Sequence, residues 1–333
     1  MAVKPEGITT GDGTEEHPWE VHNYEEIKWC CEDIDAVPTG QARSLYVYIK
    51  LVNDIDCQDY DVDFTWHITI TQHAVDFNLN NKTIKTFYIA PDGSSSITSW
   101  GMFSSGNGYA FSLHDGKILN VYGYWDTGSS ALFYAQSNLY LTNISFSIDA
   151  SKIGSGDGSI IYGYVSSSVT QLVKNCSFWI QGLTGRFALL PTTQSITCCD
   201  FYFSNCSCTN SNHLMQNSTI ITNCRFQGAL TYKTTSSPYD NFVTRGVFRN
   251  CVWDATVTLD VPATATNVFS ITNGNSTSNF GIYNVNKLDE RIYQFDRASS
   301  SRYIPVTSQD MDMRLNPHAD TTLQELGFDV IKG

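Results

Sequence analysis

Four stretches within residues 171–254 share one arrangement of apolar and polar positions: QLVKNCSFWI, SITCCDFYF, IITNCRFQG and VFRNCVWDA. Each reads apolar, any residue, Asn, Cys, any residue, aromatic, with Cys198 standing where the other copies have Asn. Stacking the copies aligns Cys176, Cys199, Cys224 and Cys251. It also aligns Phe178, Phe201, Phe226 and Trp253. The steps between the cysteines are 23, 25 and 27 residues. A repeat of about 25 residues with one aromatic strand each predicts a solenoid of stacked strands.

The spacing inside a copy predicts how the chain turns. In LTNISF the apolar positions are Leu141, Ile144 and Phe146; in ITNCRF they are Ile221, Cys224 and Phe226. An unbroken strand would send the first and second of these to opposite faces. All three point inward if the chain bends at the Asn, a residue that tolerates the left-handed conformation. Asn143, Asn175, Asn223 and Asn250 are therefore expected at corners. Ser177, Asp200, Arg225 and Val252 are expected to point outward, with Asp200 and Arg225 paired across neighbouring strands. An antiparallel sandwich would instead show frequent tight hairpin turns, and few Asn-Gly or Asp-Gly pairs occur inside the strands.

Residues 1–22 read as an extended entry segment. GDGT at 11–14 is a turn, without the strand and third glycine of a nucleotide loop. Residues 23–35 form a predicted helix: Asn23 caps it, Glu26 is the capping-box partner, and Ile27, Cys30, Cys31 and Ile34 make one apolar face. A lone helix ahead of stacked strands is expected to cover their open end. Strands follow at 44–52, 66–73, 77–84, 116–125, 139–148 and 279–286, with Ser/Gly-rich turns at 91–108 and a glycine loop, GSGDG, at 154–158. From residue 287 the pattern changes, and Asp320 and Gly327 bracket a short helix. The expected division is an entry segment with capping helix at 1–43, a solenoid of stacked strands at 44–286, and a C-terminal cap or partner-contact tail at 287–333.

Composition narrows the function. Aromatics are 13% and charged residues 16%, which excludes a disordered chain. A net charge of −13 excludes a phosphate-backbone binder and attraction to anionic membranes, so neither nucleic acid nor membrane is an expected partner. There is no apolar run long enough to span a bilayer and no signal-peptide core, so the ten cysteines are expected to remain reduced. Their spacing lacks the pairs of a zinc site, and a small buried hydrophobe is the better reading. The N-x-Ser/Thr triplets then read as a by-product of Asn corners rather than as glycosylation sites.

Candidate chemistry is sparse. Asp59, Asp61 and Asp63 alternate onto one strand face and are the candidate Ca2+ ligands. The glycine and distal Glu of an EF-hand are missing, and a solvated acidic face is favoured. His67 and His73 share a strand face but lie about 20 Å apart, too far for one ion, and read as surface histidines. Tyr122 with Tyr124, and Tyr162 with Tyr164, share faces that would stack on sugars if solvent-exposed; interior filling is favoured. Asp149, Asp200 and Asp254 are the candidate catalytic carboxylates, though no two occupy one position on adjacent repeats. No cofactor is called for.

The phrases FNLNNKTI, LTNISF, KNCSF, TNCRF and RNCVW resemble the coils of the right-handed parallel β-helix superfamily, the pectate-lyase-like fold. The opening GDGTEEHPWEVHNYEEIKW, followed by LYVYIKLVNDIDC, resembles the start of bacterial and phage β-helix proteins. The ending IPVTSQDMDMRLN…LQELGFDVIKG is similar to those of phage virion proteins. The resemblance covers roughly residues 11–285. It implies an all-β, right-handed parallel β-helix solenoid with capped ends that trimerises. The Arg base and acids of the lyases are absent, as are the Asn-Thr-Asp, Asp pair and Gly-His-Gly of the polygalacturonases. The expectation is a non-enzymatic virion protein, a capsid decoration, head fibre or short tailspike, whose partners are copies of itself, other virion proteins and host glycans. The alternatives are a glycan-degrading tailspike depolymerase, lyase or hydrolase, and a cell-surface carbohydrate-binding solenoid.

Overall fold

A computed structural model describes residues 3–59, 66–89, 102–105, 108–123, 130–135, 137–149, 158–162, 169–182, 184–185, 187–188, 195–209, 220–222, 224–233, 247–253, 256–260, 280–284, 293–295 and 303–305. Within them the chain is built from strands, with one α-helix, Tyr24–Glu32. A 17-stranded parallel sheet and a five-stranded parallel sheet carry nearly all the pairing. The antiparallel exception is Tyr293–Phe295 with Tyr303–Pro305. This parallel pairing excludes the sandwich alternative.

Each strand of the large sheet pairs with one lying further along the chain at a spacing set by the repeat. Val47 faces Val75, Val75 faces Phe111 and Leu139 faces Gln171. One residue further along, Leu172 faces Ser195 and Ser195 faces Ile220. Parallel partners need a crossover of about a dozen residues or more. Here other strands supply it, because few segments carry helical periodicity. Ile68–Ile70, Phe103–Ser105, Ser130–Ala135, Gly158–Tyr162 and Phe187–Ala188 form the five-stranded sheet in that order. Phe103–Ser105 lies inside the stretch expected to be turns; it is short and wholly buried, so no alternation marks it.

The predicted alignment is the observed register. Phe146 faces Phe178, Phe178 faces Phe201, Phe201 faces Phe226 and Phe226 faces Trp253. The rings of Phe146, Phe178 and Phe201 stack at 4.9 and 5.0 Å, tilted by 7° and 5°, which is the spacing of adjacent strands. Tyr24, Trp66, Phe103 and Phe133 extend this aromatic spine toward the helix. The core lies between the two parallel sheets.

Two of the four expected corners, Asn143 at φ 56° and Asn175 at φ 52°, have the left-handed conformation. Cys198, the deviant copy, has φ 55°, so position rather than residue type sets the bend. Asp115 and Asn81, one and two strands before Asn143, adopt the same conformation. Leu141, Ile144 and Phe146 are all buried, as are Val173, Cys176 and Phe178. Gly116 precedes Ile144 in that interior column; a Cβ there would lie 2.3 Å from Leu79 Cβ. Asn250 falls within the strand Val247–Trp253, and Asn223 lies outside the described residues.

The helix is shorter than its apolar periodicity implied. Asn23 Oδ1 accepts from Glu26 N at 3.0 Å. The Glu26 carboxylate accepts from His22 N and from Asn23 Nδ2. Ile27, Cys30 and Cys31 are fully buried, but Ile34 sits in a 3-10 turn, half-buried, and Ala36 takes the interior place. The entry segment also supplies a first strand, Trp19–Val21, in register with Ile49–Leu51.

Two substitutions test the corner. Asn175→Val should lower the unfolding free energy by about 2–3 kcal/mol, combining left-handed strain with a lost hydrogen bond. Cys198→Asn should raise it by about 1 kcal/mol. Urea denaturation followed by far-UV circular dichroism measures both.

Candidate functional site

The carboxylates singled out in the sequence do not converge. Asp149 and Asp200 are on strands of one sheet, but Asp149 aligns with Gln181 and Asp200 with Ser177. They are thus four positions apart along the strands and two strands apart across them, on the order of 15 Å. Glycoside hydrolysis needs two acids at about 5–9.5 Å. Asp200 is 1% exposed rather than outward in solvent, and Ser177 is buried too. The outward positions are buried along this part of the sheet: Ser145 and Ser147 are buried as well, and Ser177 Oγ donates to Ser145 Oγ at 2.9 Å. Asp200 and Arg225 do face each other in register. Asp254 lies outside the described residues.

Asp59 ends a 3-10 turn, Cys57–Asp59, while Asp61 and Asp63 lie outside the described residues. Among the described residues no three His, Cys, Asp or Glu side chains gather as a metal centre would require. Tyr122 and Tyr162 fall within strands, Phe111–Gly123 and Gly158–Tyr162. Tyr124 and Tyr164 lie outside the described residues.

The histidines depart from the expectation of a shared surface face. His73 is fully buried, and its Nε2 donates to the Cys30 carbonyl at 2.7 Å. That bond ties the helix Tyr24–Glu32 to the segment between the strands Ile68–Ile70 and Ala74–Asn78. Burial holds the imidazole below its ordinary pKa, and so neutral. His67 is half-buried, with Nε2 at 3.1 Å from Thr69 Oγ1.

The thiols form a buried column as expected. Cys176 and Cys199 donate to the carbonyls of Lys174 and Thr197, both at 3.3 Å. Cys224 is also buried. Burial pushes the thiols of Cys30, Cys31 and Cys176 well above their ordinary range. A thiol held protonated is neither a nucleophile nor a metal ligand.

A different cluster was missed in the sequence. His114 Nε2 lies 2.9 Å from Asp76 Oδ1, and His114 Nδ1 lies 2.8 Å from Asp115 Oδ2. Asp115 Oδ1 accepts from Asn143 Nδ2 at 2.8 Å, and Asn143 Oδ1 accepts from Asn175 Nδ2 at 3.1 Å. Five side chains on successive strands thus form one polar chain along the corner. Burial alone would lower the His114 pKa; the two flanking carboxylates outweigh it and raise it to about 9. Only Asp115 and His114 are adjacent in sequence, so no local motif announces the group. A small notch beside it, about 50 Å³, is lined by Asn81, Asp115, Lys117 and Asn143 among others.

No family model matches this chain, and no curated protein is similar to it. One solved structure, a Bacteroides ovatus protein named as a candidate immunoglobulin A1 protease, is 14% identical over 82% of this chain and 85% of that one, with a TM-score of 0.45. At those values the likeness carries no argument. No helix among the described residues is long and apolar enough to cross a membrane.

Two outcomes follow from these side chains. Cys30, Cys31, Cys176 and Cys199 should resist maleimide in the folded protein and react fully in denaturant, read by peptide mass spectrometry. His73 has a folded pKa below its unfolded value near 6.5. The stability it contributes is therefore full above that value and lost as pH falls through the folded pKa. Melting temperature should drop on acidification from pH 6.5 toward 5. His73→Gln, which keeps a donor for the Cys30 carbonyl, should flatten that slope.

Proposed function

We propose that the chain is a right-handed parallel β-helix with a structural, non-enzymatic role on a phage virion surface. It would serve as a capsid decoration, head fibre or short tailspike. The observation that carries the β-helix reading is the set of side-chain columns held in register through successive repeats. Stacked phenylalanines, a thiol column and left-handed corners all recur at the same positions. Such columns make a stiff element whose residues serve packing. The helix Tyr24–Glu32 fits an end cap, since its buried side chains meet the first strands. Residues 1–43, 44–286 and 287–333 then act as entry cap, rod and distal tail.

The virion setting rests on the resemblance of the opening and closing segments to phage β-helix proteins, and so does the trimer. The partners in this reading are two further copies of the chain, other virion proteins and host glycans met at the surface. The separation of Asp149 from Asp200 supports a role without glycan hydrolysis.

Sedimentation of the purified chain, 37.2 kDa per copy, should give a species of about three times that mass. Peptides of the chain should appear in purified particles by mass spectrometry. A monomer that releases reducing sugar from capsular polysaccharide would replace this reading with a glycan-degrading one.

A further inference from the structure

The corner hydrogen bonds have a direction. Asn143 turns its amide nitrogen toward Asp115 and its oxygen toward Asn175, whose nitrogen donates to it. An amide ladder of this kind could run either way along the corner, because each Asn has one donor end and one acceptor end. The group at its head decides. Asp115, as a carboxylate, accepts but cannot donate, so the first Asn must present its nitrogen and every later Asn must follow.

Asp115 keeps that role because of what lies behind it. Its second oxygen and Asp76 Oδ1 are both within hydrogen-bond distance of the two ring nitrogens of His114. Two carboxylates at the two nitrogens require both nitrogens to donate, which a neutral imidazole cannot do. The side chain of His114 is 22% exposed, so the cluster is shielded yet within reach of hydroxide.

We propose that Asp76, His114 and Asp115 form an alkali-sensitive latch that fixes the direction of the asparagine ladder and locks the corner at its head. The His114 imidazolium bridges three strands' worth of register: Asp76 on Ala74–Asn78, its own strand Phe111–Gly123, and Asn143 on Leu139–Asp149 through Asp115. When the imidazolium loses its proton, one ring nitrogen presents a lone pair to a carboxylate. The two acids then repel across a neutral ring, and the head of the ladder loosens.

The groups around the latch fit this assignment. On the strand Tyr46–Leu51, Tyr48 aligns with Asp76 and Lys50 with Asn78. On Ala74–Asn78, Asp76 is the charged group, and Asn78 aligns with His114 itself. On its own strand the charged neighbours are Asp115 and Lys117. On Leu139–Asp149 the residue opposite His114 is the uncharged Thr142. Asp76 and Asp115 are the carboxylates that hydrogen-bond the ring.

The sign of the effect is fixed. The folded pKa of His114, about 9, lies above its unfolded value near 6.5. The stabilisation is therefore complete below 6.5 and is lost as pH rises through about 9. This is opposite to the acid-side loss at His73.

The test is nitrogen NMR of the full chain with labelled histidine and asparagine side chains, His114 being assigned by its disappearance in His114→Gln. In the wild type, His114 should show imidazolium shifts at pH 7.5 and titrate in the alkaline range. The side-chain amides of Asn143 and Asn175 should follow the same curve. In Asp115→Asn the titration should move toward the ordinary histidine value, and the Asn143 amide should shift at neutral pH. A neutral His114 at pH 7.5 in the wild type would overturn the latch, and so would Asn143 and Asn175 amides that ignore its titration. If Asp115→Asn does not fold, the wild-type titration alone decides. As a second readout, the melting-temperature gap between wild type and His114→Gln should close between pH 8 and 10; a gap constant across that range would contradict the proposal.

Discussion

A parallel strand that slips by one residue turns every side chain to the opposite face. The stack therefore depends on one constraint: each repeat must enter its strand at the same position as the repeat before it. The left-handed corner imposes this. At Asn143, Asn175 and Cys198 the backbone takes nearly one conformation, and the next residues, Ile144, Cys176 and Cys199, drop into a single interior column. Two positions later the phenylalanine rings come within van der Waals contact of each other. Corner, thiol column and ring stack are thus consequences of one register.

The interior and the corner divide the energetics between them. The aromatic spine supplies non-directional burial, which would tolerate other apolar shapes of similar size. The corner hydrogen bonds are directional and shielded, so an unmade one costs more than a made one gains. Asp115, Asn143 and Asn175 satisfy one another along the stack. At the helix Tyr24–Glu32, Asn23 accepts from Glu26 N, the Glu26 carboxylate accepts in turn from His22 N and Asn23 Nδ2, and His73 donates to the Cys30 carbonyl.

Much of this was legible in the sequence because the repeat writes each column in one residue type. Phe178 and Phe201, Asn143 and Asn175, and the Asn23–Glu26 capping box could all be placed by spacing. The five-stranded sheet was not legible: Phe103–Ser105 is three buried residues long and sits among serines and glycines that read as turn. The outward positions were misjudged at Ser177 and Asp200, since alternation reports which face a residue takes but not whether that face is covered. The cluster at His114 escaped because Asp76 and His114 meet through register alone. The same register separates Asp149 from Asp200, which residue type alone had grouped as candidate acids.

If columns rather than particular residues hold the fold, the chain should tolerate loss of a whole repeat and not of a fraction. Deleting residues 177–199 joins Cys176 directly to Asp200, removing 23 residues, one full step between aligned cysteines. The measurement is urea unfolding of this variant beside one lacking residues 177–187. The account predicts strand-rich circular dichroism and cooperative unfolding for the whole-repeat deletion, with loss of both in the partial one. Equal damage from the two deletions would contradict it.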